Sequence, residues 1–350
     1  YSQLSPDAVQ KLGADIVYGT ADRLKLIDAV EKAVATGEGE KALDKPFERR
    51  VFEELPAGAV SGHTRALLKI QDGCVNFCTY CIIPYARGPV RSLPLETAAE
   101  QTRQLRQEGY QELVLTGIEI SSWGHDLKDG SSFIDLLETV SEAAGNMRIR
   151  LGSLEPRTIT EDFCRRAVKL SNLCPHFHLS LQSGCDETLK RMNRKYDTAR
   201  FYESVTLLRQ YFDHVAVTTD LITGFPGETE EEFSQALAFI EKCGFAAMHI
   251  FPYSVRPGTK AAAMPQLTAA VKEERAARAA QVAHRMHQAY LAGCVGKTYP
   301  VLFEQEKDGL YTGHAPNYME VAVRGQALHN QVREVTITAC NGETLLGELL

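Results

Sequence analysis

The sequence predicts an α/β fold: a partial (β/α)6 barrel over residues 63–292, a small all-β unit over 293–350, and the end of another α/β unit over 1–45. Three patterns carry this. Six short apolar runs (66–70, 112–116, 148–151, 177–181, 215–222 and 247–251) alternate with helical periodicity at 96–108, 132–144, 160–170, 198–211 and 229–243. A long helical stretch over 268–291 ends the series. From Gly296 the period changes, and runs at 299–303, 318–323, 332–338 and 344–349 read as strands punctuated by Gly and Asn.

In chain order, 14–19 reads as a short strand ending in Gly19. Residues 22–34 read as a helix with an apolar stripe of Leu24, Leu26, Ile27, Val30 and Val34. Gly, Pro and mixed charge make 46–62 a linker. The β-then-α repeat implies parallel strands with right-handed crossovers, and six units rather than eight imply an open barrel. A doubly wound open sheet is the alternative that the pattern allows. The C-terminal strands imply a small barrel or sandwich.

Composition sets the class. Among 350 residues, 44% are hydrophobic and 24% charged, as in a globular protein, with no apolar run near the ~20 residues of a membrane span and no visible signal peptide. A cytoplasmic protein without membrane partners is expected. The chain starts at Tyr1, which suggests a fragment or a processed chain. With a net charge of −7, contacts to nucleic acid must come from local basic patches.

Three of the nine cysteines crowd together as Cys74-x3-Cys78-x2-Cys81, directly after the first barrel strand. In parallel β/α folds ligands gather at that end of the strands. Thiolates hold iron–sulfur clusters, normally four to a cluster. Three thus leave one iron of a [4Fe–4S] cluster open to the amino and carboxylate groups of S-adenosylmethionine, whose reductive cleavage yields a 5′-deoxyadenosyl radical. Tyr80 packs beside this group in such a reading, and Gly73 frees the turn. A zinc site completed by a distant residue such as His63 is the alternative.

The stretch from Gly62-His63-Thr64-Arg65 through Cys81-Ile82-Ile83-Pro84-Tyr85-Ala86-Arg87-Gly88 resembles the methylthiotransferase family of radical-SAM enzymes. So do Leu151-Gly152-Ser153-Leu154-Glu155-Pro156, His176-Phe177-His178-Leu179-Ser180-Leu181-Gln182-Ser183-Gly184, Gly224-Phe225-Pro226-Gly227-Glu228-Thr229 and Met248-His249-Ile250-Phe251-Pro252-Tyr253-Ser254. The resemblance covers essentially the whole chain and is strongest to the subgroup acting on N6-threonylcarbamoyladenosine at position 37 of tRNA. It implies a radical-SAM core at 63–292, a linker at 46–62, an RNA-binding TRAM domain at 293–350, and at 1–45 the remnant of an N-terminal domain that carries a second [4Fe–4S] cluster. Tyr1-Ser2-Gln3 resembles the segment just past the third cysteine of that domain, so one cluster is expected here and a second in the full-length protein. A reducing electron donor is also implied. The chain departs from the family at Leu93, where Arg is usual after Arg91-Ser92.

The resemblance places Gly224 and Pro226 near the adenine of the cofactor and Gly117 near its methionine amino group. Glu155 and Gln182 are polar at strand ends and point to the cofactor or substrate mouth, or to loop hydrogen bonds. Arg194 suits the cofactor carboxylate, or a solvated helix end. His176 and His178 share one strand face and read as barrel-lining residues before a metal pair. Cys164, Cys174, Cys185, Cys243, Cys294 and Cys340 read as ordinary buried thiols. Lys190, Arg191, Arg194, Lys195 and Arg200, and around the cysteine loop Arg65, Lys69, Arg87 and Arg91, could receive phosphates or form a solvated face. The C-terminal part is not basic, with four Lys and Arg against seven acids after Gly296, so RNA binding there rests on resemblance, with Tyr311, His314 and Tyr318 as stacking candidates. An anticodon loop lets the target adenosine leave its stack cheaply. The expected reaction is methylthiolation of that adenine at C2. Isopentenyl-adenosine or a ribosomal protein are the alternative substrates, and a non-catalytic, metal-stabilised RNA-binding protein is the alternative of another class.

Overall fold

The computed structural model describes residues 2–55 and 62–350; part of the expected 46–62 linker, and Tyr1, lie outside them. At the N-terminus, α1 (Pro6–Gln10), β1 (Ile16–Tyr18), α2 (Lys25–Thr36) and β2 (Glu40–Ala42) form a two-stranded parallel sheet with two helices. The apolar stripe of α2 does not enter a core. Leu24, Leu26, Ile27, Val30 and Val34 are exposed and Ala29 alone in that helix is buried, because a two-stranded sheet offers too little surface to cover it.

The central unit contains β3 (Arg65–Asp72), α3 (Ile83–Arg87), β4 (Arg91–Ser92), α4 (Leu95–Gln107), β5 (Glu112–Gly117), α5 (Phe133–Ala144), β6 (Arg148–Leu151), α6 (Glu161–Ala167), β7 (His176–Gln182), α7 (Asp186–Arg191), α8 (Thr198–Tyr211), β8 (Ala216–Thr223), α9 (Glu230–Cys243), β9 (Ala247–Pro252) and α10 (Ala269–Ala292). Six of its strands are parallel, in the arcs β3-β5-β6 and β7-β8-β9, with β4 antiparallel on the outer edge of β3. Single bridges, Ile149 to Leu173 and Leu154 to Leu179, join the arcs into one wall. No pairing joins β3 to β9 among the described residues, so the barrel is open there, and Leu67 and Phe251 stand exposed.

Strand alternation sorts the side chains. Leu113, Leu115, Ile149, Leu151, Phe177, Leu179, Leu181, Val217 and Leu221 face the helices and are buried with Leu105, Leu136, Val140, Phe163, Phe201 and Phe233. The opposite parity (Glu112, Arg150, His176, His178, Ser180, Thr218, Asp220, His249) lines the lumen. The helices start where their caps say they should. Thr160, Asp197, Thr229 and Thr268 accept from the first-turn N–H groups of α6, α8, α9 and α10, and a capping box of Ser132 and Asp135 opens α5.

The last unit is a closed barrel in the order β10-β11-β12-β14-β13, from β10 (Thr298–Lys307), β11 (Leu310–His314), β12 (Glu320–Arg324), β13 (Val332–Asn341) and β14 (Thr344–Leu349), around Val301, Phe303, Val321, Val335, Ile337 and Leu345. Strand β11 escaped the sequence pattern because it carries few apolar residues. The small barrel docks on the N-terminal ends of the central strands. Buried Glu112 holds Arg148 (2.6 Å) and Arg150 (2.9 Å), and these donate on to the carbonyls of Pro300 (2.8 Å) and Pro316 (3.0 Å).

Candidate cluster and cofactor site

The cysteine loop leaves β3 at the end of the barrel away from the small barrel. Gly73 starts it at φ +79°, where a Cβ would lie 1.9 Å from the carbonyl oxygen of Pro89, so only glycine fits. Asp72 anchors the start: its carboxylate accepts from the Gly73 N–H (2.8 Å) and pairs with Lys69 (2.7 Å), Arg91 (3.2 Å) and Arg87 (3.6 Å). Burial opposes its charge, but these three cations hold the carboxyl below its ordinary range. The Gln71 amide ties this loop to the next, donating to the Gly73 carbonyl (2.7 Å) and accepting from the N–H groups of Ile118 (3.1 Å) and Glu119 (2.8 Å). Gly117 permits that approach, since a Cβ there would sit 2.8 Å from the Gln71 carbonyl.

Downstream, Thr79 donates to the carbonyls of Met192 (3.0 Å, through its N–H) and Arg191 (2.8 Å, through its hydroxyl), and Asn193 donates to the Phe77 carbonyl (2.9 Å). The turn after α7 therefore forms one wall of the loop. Tyr80 packs edge-on against Phe225, joining the loop to the turn after β8. In that turn Gly224 has φ +65°, Pro226 is buried, and Glu228 accepts from the Gly224 N–H (2.8 Å) while paired with Arg275 (2.7 Å).

Cys74, Cys78 and Cys81 are free and half-buried, whereas Cys164, Cys174, Cys185, Cys243 and Cys294 are buried; Cys340, expected among the buried thiols, is only half-buried because it lies near the end of β13. Arg194 donates to the Cys78 sulfur (3.2 Å), to the Tyr196 hydroxyl (3.0 Å) and to the Ser180 carbonyl (3.4 Å), and stacks over the Tyr196 ring. Burial, with Glu119 and the other two thiols nearby, pushes Cys74 up to about 11, and burial raises Cys81 as well. Such thiols surrender their protons to a metal rather than to water. His63 precedes β3 at the far end of that eight-residue strand, about 25 Å away at the usual rise per residue, so it cannot complete a zinc site with them. Nor do the three sulfurs converge within the 4.8 Å expected of ligands to a single ion. The donor set and spacing fit a cluster larger than one metal.

Sequence reasoning missed Glu119. Its Oε1 is buried without a hydrogen-bond partner, and burial, with Glu155 adding to it, raises its carboxyl. A cleft of about 510 Å³ beside Val75 and Asn76 is lined by Glu119, Glu155 and Arg157, the last paired with Glu155 at 3.0 Å. Ser121 and Ser122 hold the Glu119 carboxyl from one side, and its unpartnered oxygen beside Cys74 fits an incoming ammonium. Its one sequence signal was position, two residues beyond Gly117 at a strand end. Also missed was an exposed aromatic cluster at the mouth: Phe47 stacks on Phe77, with Tyr85 edge-on to both.

Several expected RNA contacts are committed elsewhere. Arg91 is buried on Asp72 and the carbonyls of Arg87 and Pro89, and Arg87 faces the same carboxylate. Arg191 is paired with Glu232 (2.5 Å). Tyr318, at φ +68°, stacks between His176 and His314 with Arg65 and Arg150 over its ring, and is 39% exposed. These cations were read as solvent-facing because their acids lie far away in sequence. Lys190 and Lys195 are exposed beside the cysteine loop. Gln182 ends β7 half-buried at φ +69°. Leu93 is buried, with its N–H on the Ile70 carbonyl (2.8 Å) and its own carbonyl accepting from Trp123 (2.9 Å).

The radical SAM superfamily profile matches residues 68–240. The chain is 38% identical over 332 residues to the threonylcarbamoyladenosine tRNA methylthiotransferase MtaB of Bacillus subtilis, covering 93% of this chain and 74% of that protein. The MtaB of Thermotoga maritima is 35% identical, with coverage of 95% and 75%. The tRNA-2-methylthio-N(6)-dimethylallyladenosine synthase of Thermoanaerobacter sp. X514 is 36% identical, with coverage of 86% and 65%.

Proposed function

This chain belongs to the radical-SAM tRNA methylthiotransferases, and on that premise we propose that it converts N6-threonylcarbamoyladenosine at position 37 of tRNA to its 2-methylthio derivative. The observation that carries the reading is the loop of Cys74, Cys78 and Cys81, built between Gln71, Arg194 and the unpartnered carboxyl oxygen of Glu119 at the mouth of a polar lumen. A [4Fe–4S] cluster with S-adenosylmethionine supplies, when bound there, the one-electron cleavage that starts hydrogen abstraction at C2 of the adenine.

The residues divide the remaining work. Cys74, Cys78 and Cys81 hold the iron, and Arg194 places a fixed positive charge on the Cys78 sulfur. Glu119, with Glu155 and the close approach at Gly117, receives the methionine ammonium. Tyr80, Gly224 and Pro226 form the opposite wall for the adenine of the cofactor, and Gln182 closes the end of β7. Lys190 and Lys195 meet phosphates of the anticodon loop, and Phe47, Phe77 and Tyr85 offer faces on which a base leaving its stack can rest. The same reading divides the chain at 45/46, 62/63 and 292/293, supported by the change from parallel β/α units to a closed, mostly antiparallel barrel after α10.

Similarity to the dimethylallyladenosine enzyme sustains a second substrate reading. Anaerobically reconstituted protein, reductant and S-adenosylmethionine, supplied separately with tRNA bearing each adenosine, decide between them. Nucleoside mass spectrometry should show the methylthio product from the threonylcarbamoyl substrate; turnover on the other alone defeats the proposal.

A further inference from the structure

Below the cysteine loop, the inner wall carries a second group of ligating side chains that the proposed reaction does not employ. His178 on β7, Asp220 on β8 and His249 on β9 share the lumen parity, with Asp220 directly opposite His249 in register and His178 opposite Thr218. One donor atom from each of the three lies within 4.8 Å of the others. His178 Nε2 is 3.2 Å from Asp220 Oδ2. Its other nitrogen, Nδ1, is 3.0 Å from the Thr218 hydroxyl, which is also 3.1 Å from His176 Nε2. The ring is therefore held from behind with Nε2 aimed at the carboxylate, as outer partners orient metal-bound imidazoles. Burial and neighbouring Arg150 keep His176 neutral, so it adds no competing charge. His249 is exposed to the lumen, 5.9 Å ring to ring from His178.

We propose that His178, Asp220 and His249 bind one divalent transition-metal ion of the zinc or ferrous class on the lumen wall, leaving a coordination position open to the lumen. Two imidazoles and one carboxylate select such ions over magnesium or calcium, which prefer all-oxygen sites. Three protein ligands rather than four are the pattern of a site that takes water or substrate. Its depth is set by the strand: His178 lies two residues below Ser180, whose carbonyl accepts from Arg194 on Cys78, so the trio sits about 7 Å deeper than that layer. A base reaching in from the open side would have the cysteine loop above it and the metal beneath, where an oxygen of its side chain could enter the open position. The metal assignment itself does not depend on which tRNA is the substrate.

The test uses the full chain with its cluster reconstituted, dialysed against zinc in a weak competing chelator, with zinc and iron measured in the same samples. One zinc per chain beyond the cluster iron is expected. His249→Ala and Asp220→Asn should each weaken zinc binding by at least about 100-fold with iron content unchanged. His249 is exposed, so its replacement tests the site without threatening the fold. In the Cys74→Ser, Cys78→Ser, Cys81→Ser chain, cobalt should give visible absorption bands that His249→Ala removes. Equal zinc in wild type and His249→Ala overturns the proposal. So does no bound zinc together with a raised KM for tRNA in His249→Ala, which would make the trio a direct substrate contact.

Discussion

Glu112→Gln tests how the two barrels are held together. Glu112 is fully buried between Arg148 and Arg150, and both arginines reach from it to carbonyls of the small barrel. Burial alone would raise its carboxyl, yet Arg150 and Arg148 lower it from 4.5 to about 2. A depressed carboxyl contributes stability that is present above the unfolded value and lost as pH falls through the folded one. The window is thus about pH 4.5 to 2. At pH 7 the ionised form contributes about 3 kcal/mol, and roughly half of that is gone by pH 3. Glutamine keeps the shape and loses the charge, leaving two buried guanidinium groups short of a counter-ion, a loss in the range of about 3–5 kcal/mol for a broken buried pair. The assay is urea unfolding followed by fluorescence of Trp123, the single and buried tryptophan, at pH 7 and again at pH 4 and 3. Wild type and variant should differ by about 3 kcal/mol at pH 7 and converge on acidification. A difference under about 1 kcal/mol at pH 7, or one that does not shrink as pH falls, refutes the account of the interface.

Cys78→Ala should abolish both the brown colour of reconstituted protein and release of 5′-deoxyadenosine; retained cleavage contradicts the ligand assignment. Gly73→Ala should cost several kcal/mol locally, from a left-handed backbone and a Cβ at 1.9 Å from a carbonyl oxygen, and should appear as lost iron at unchanged fold by circular dichroism. Glu119→Gln should leave iron content intact and weaken S-adenosylmethionine binding by about 10-fold or more, read by equilibrium dialysis. Because Cys74 is pushed up to about 11, iron uptake by the apo chain must displace its proton, so apparent affinity should rise about tenfold per pH unit for that thiol between pH 7 and 9; a flat profile refutes the protonated resting loop.

The cysteine loop was legible because its information is local: three thiols in eight residues, after a strand whose apolar run is itself short-range. The β/α order was legible for the same reason, with α5, α6, α8, α9 and α10 each carrying a cap of its own. Glu119 was not, since its meaning lies in one carboxyl oxygen left without a partner, which a sequence does not show. Arg91 and Arg191 looked like arms for phosphate because Asp72 and Glu232 are 19 and 41 residues away. The α2 stripe had the period of a core helix and stands exposed, because period reports the direction of side chains and not whether anything covers them.

The lumen shows what the alternation of strands can and cannot encode. Parity placed Glu112, Arg150, His176, His178 and Asp220 on one face, and an apolar core cannot accept them there. That much argues for a hollow, wet interior from sequence alone. What parity leaves open is depth, and depth separates three chemistries. At the mouth, Arg194 meets a cluster cysteine. In the middle, His178 meets Asp220 with an open side. At the floor, Glu112 neutralises two arginines under Tyr318. At the floor the charges pair with one another, although Arg148 Nε and His176 Nδ1 lack hydrogen-bond partners; the middle carries a carboxylate and two imidazoles with no arginine or lysine paired to them among the described residues. A wall built with that difference at neighbouring levels has its binding capacity in the middle layer, between the cysteine loop and the plug. Moving either histidine by one residue would turn it into the helix-facing core, so His178→Leu with His249→Leu should remove zinc binding while leaving Trp123 fluorescence and iron content as they are in the wild type.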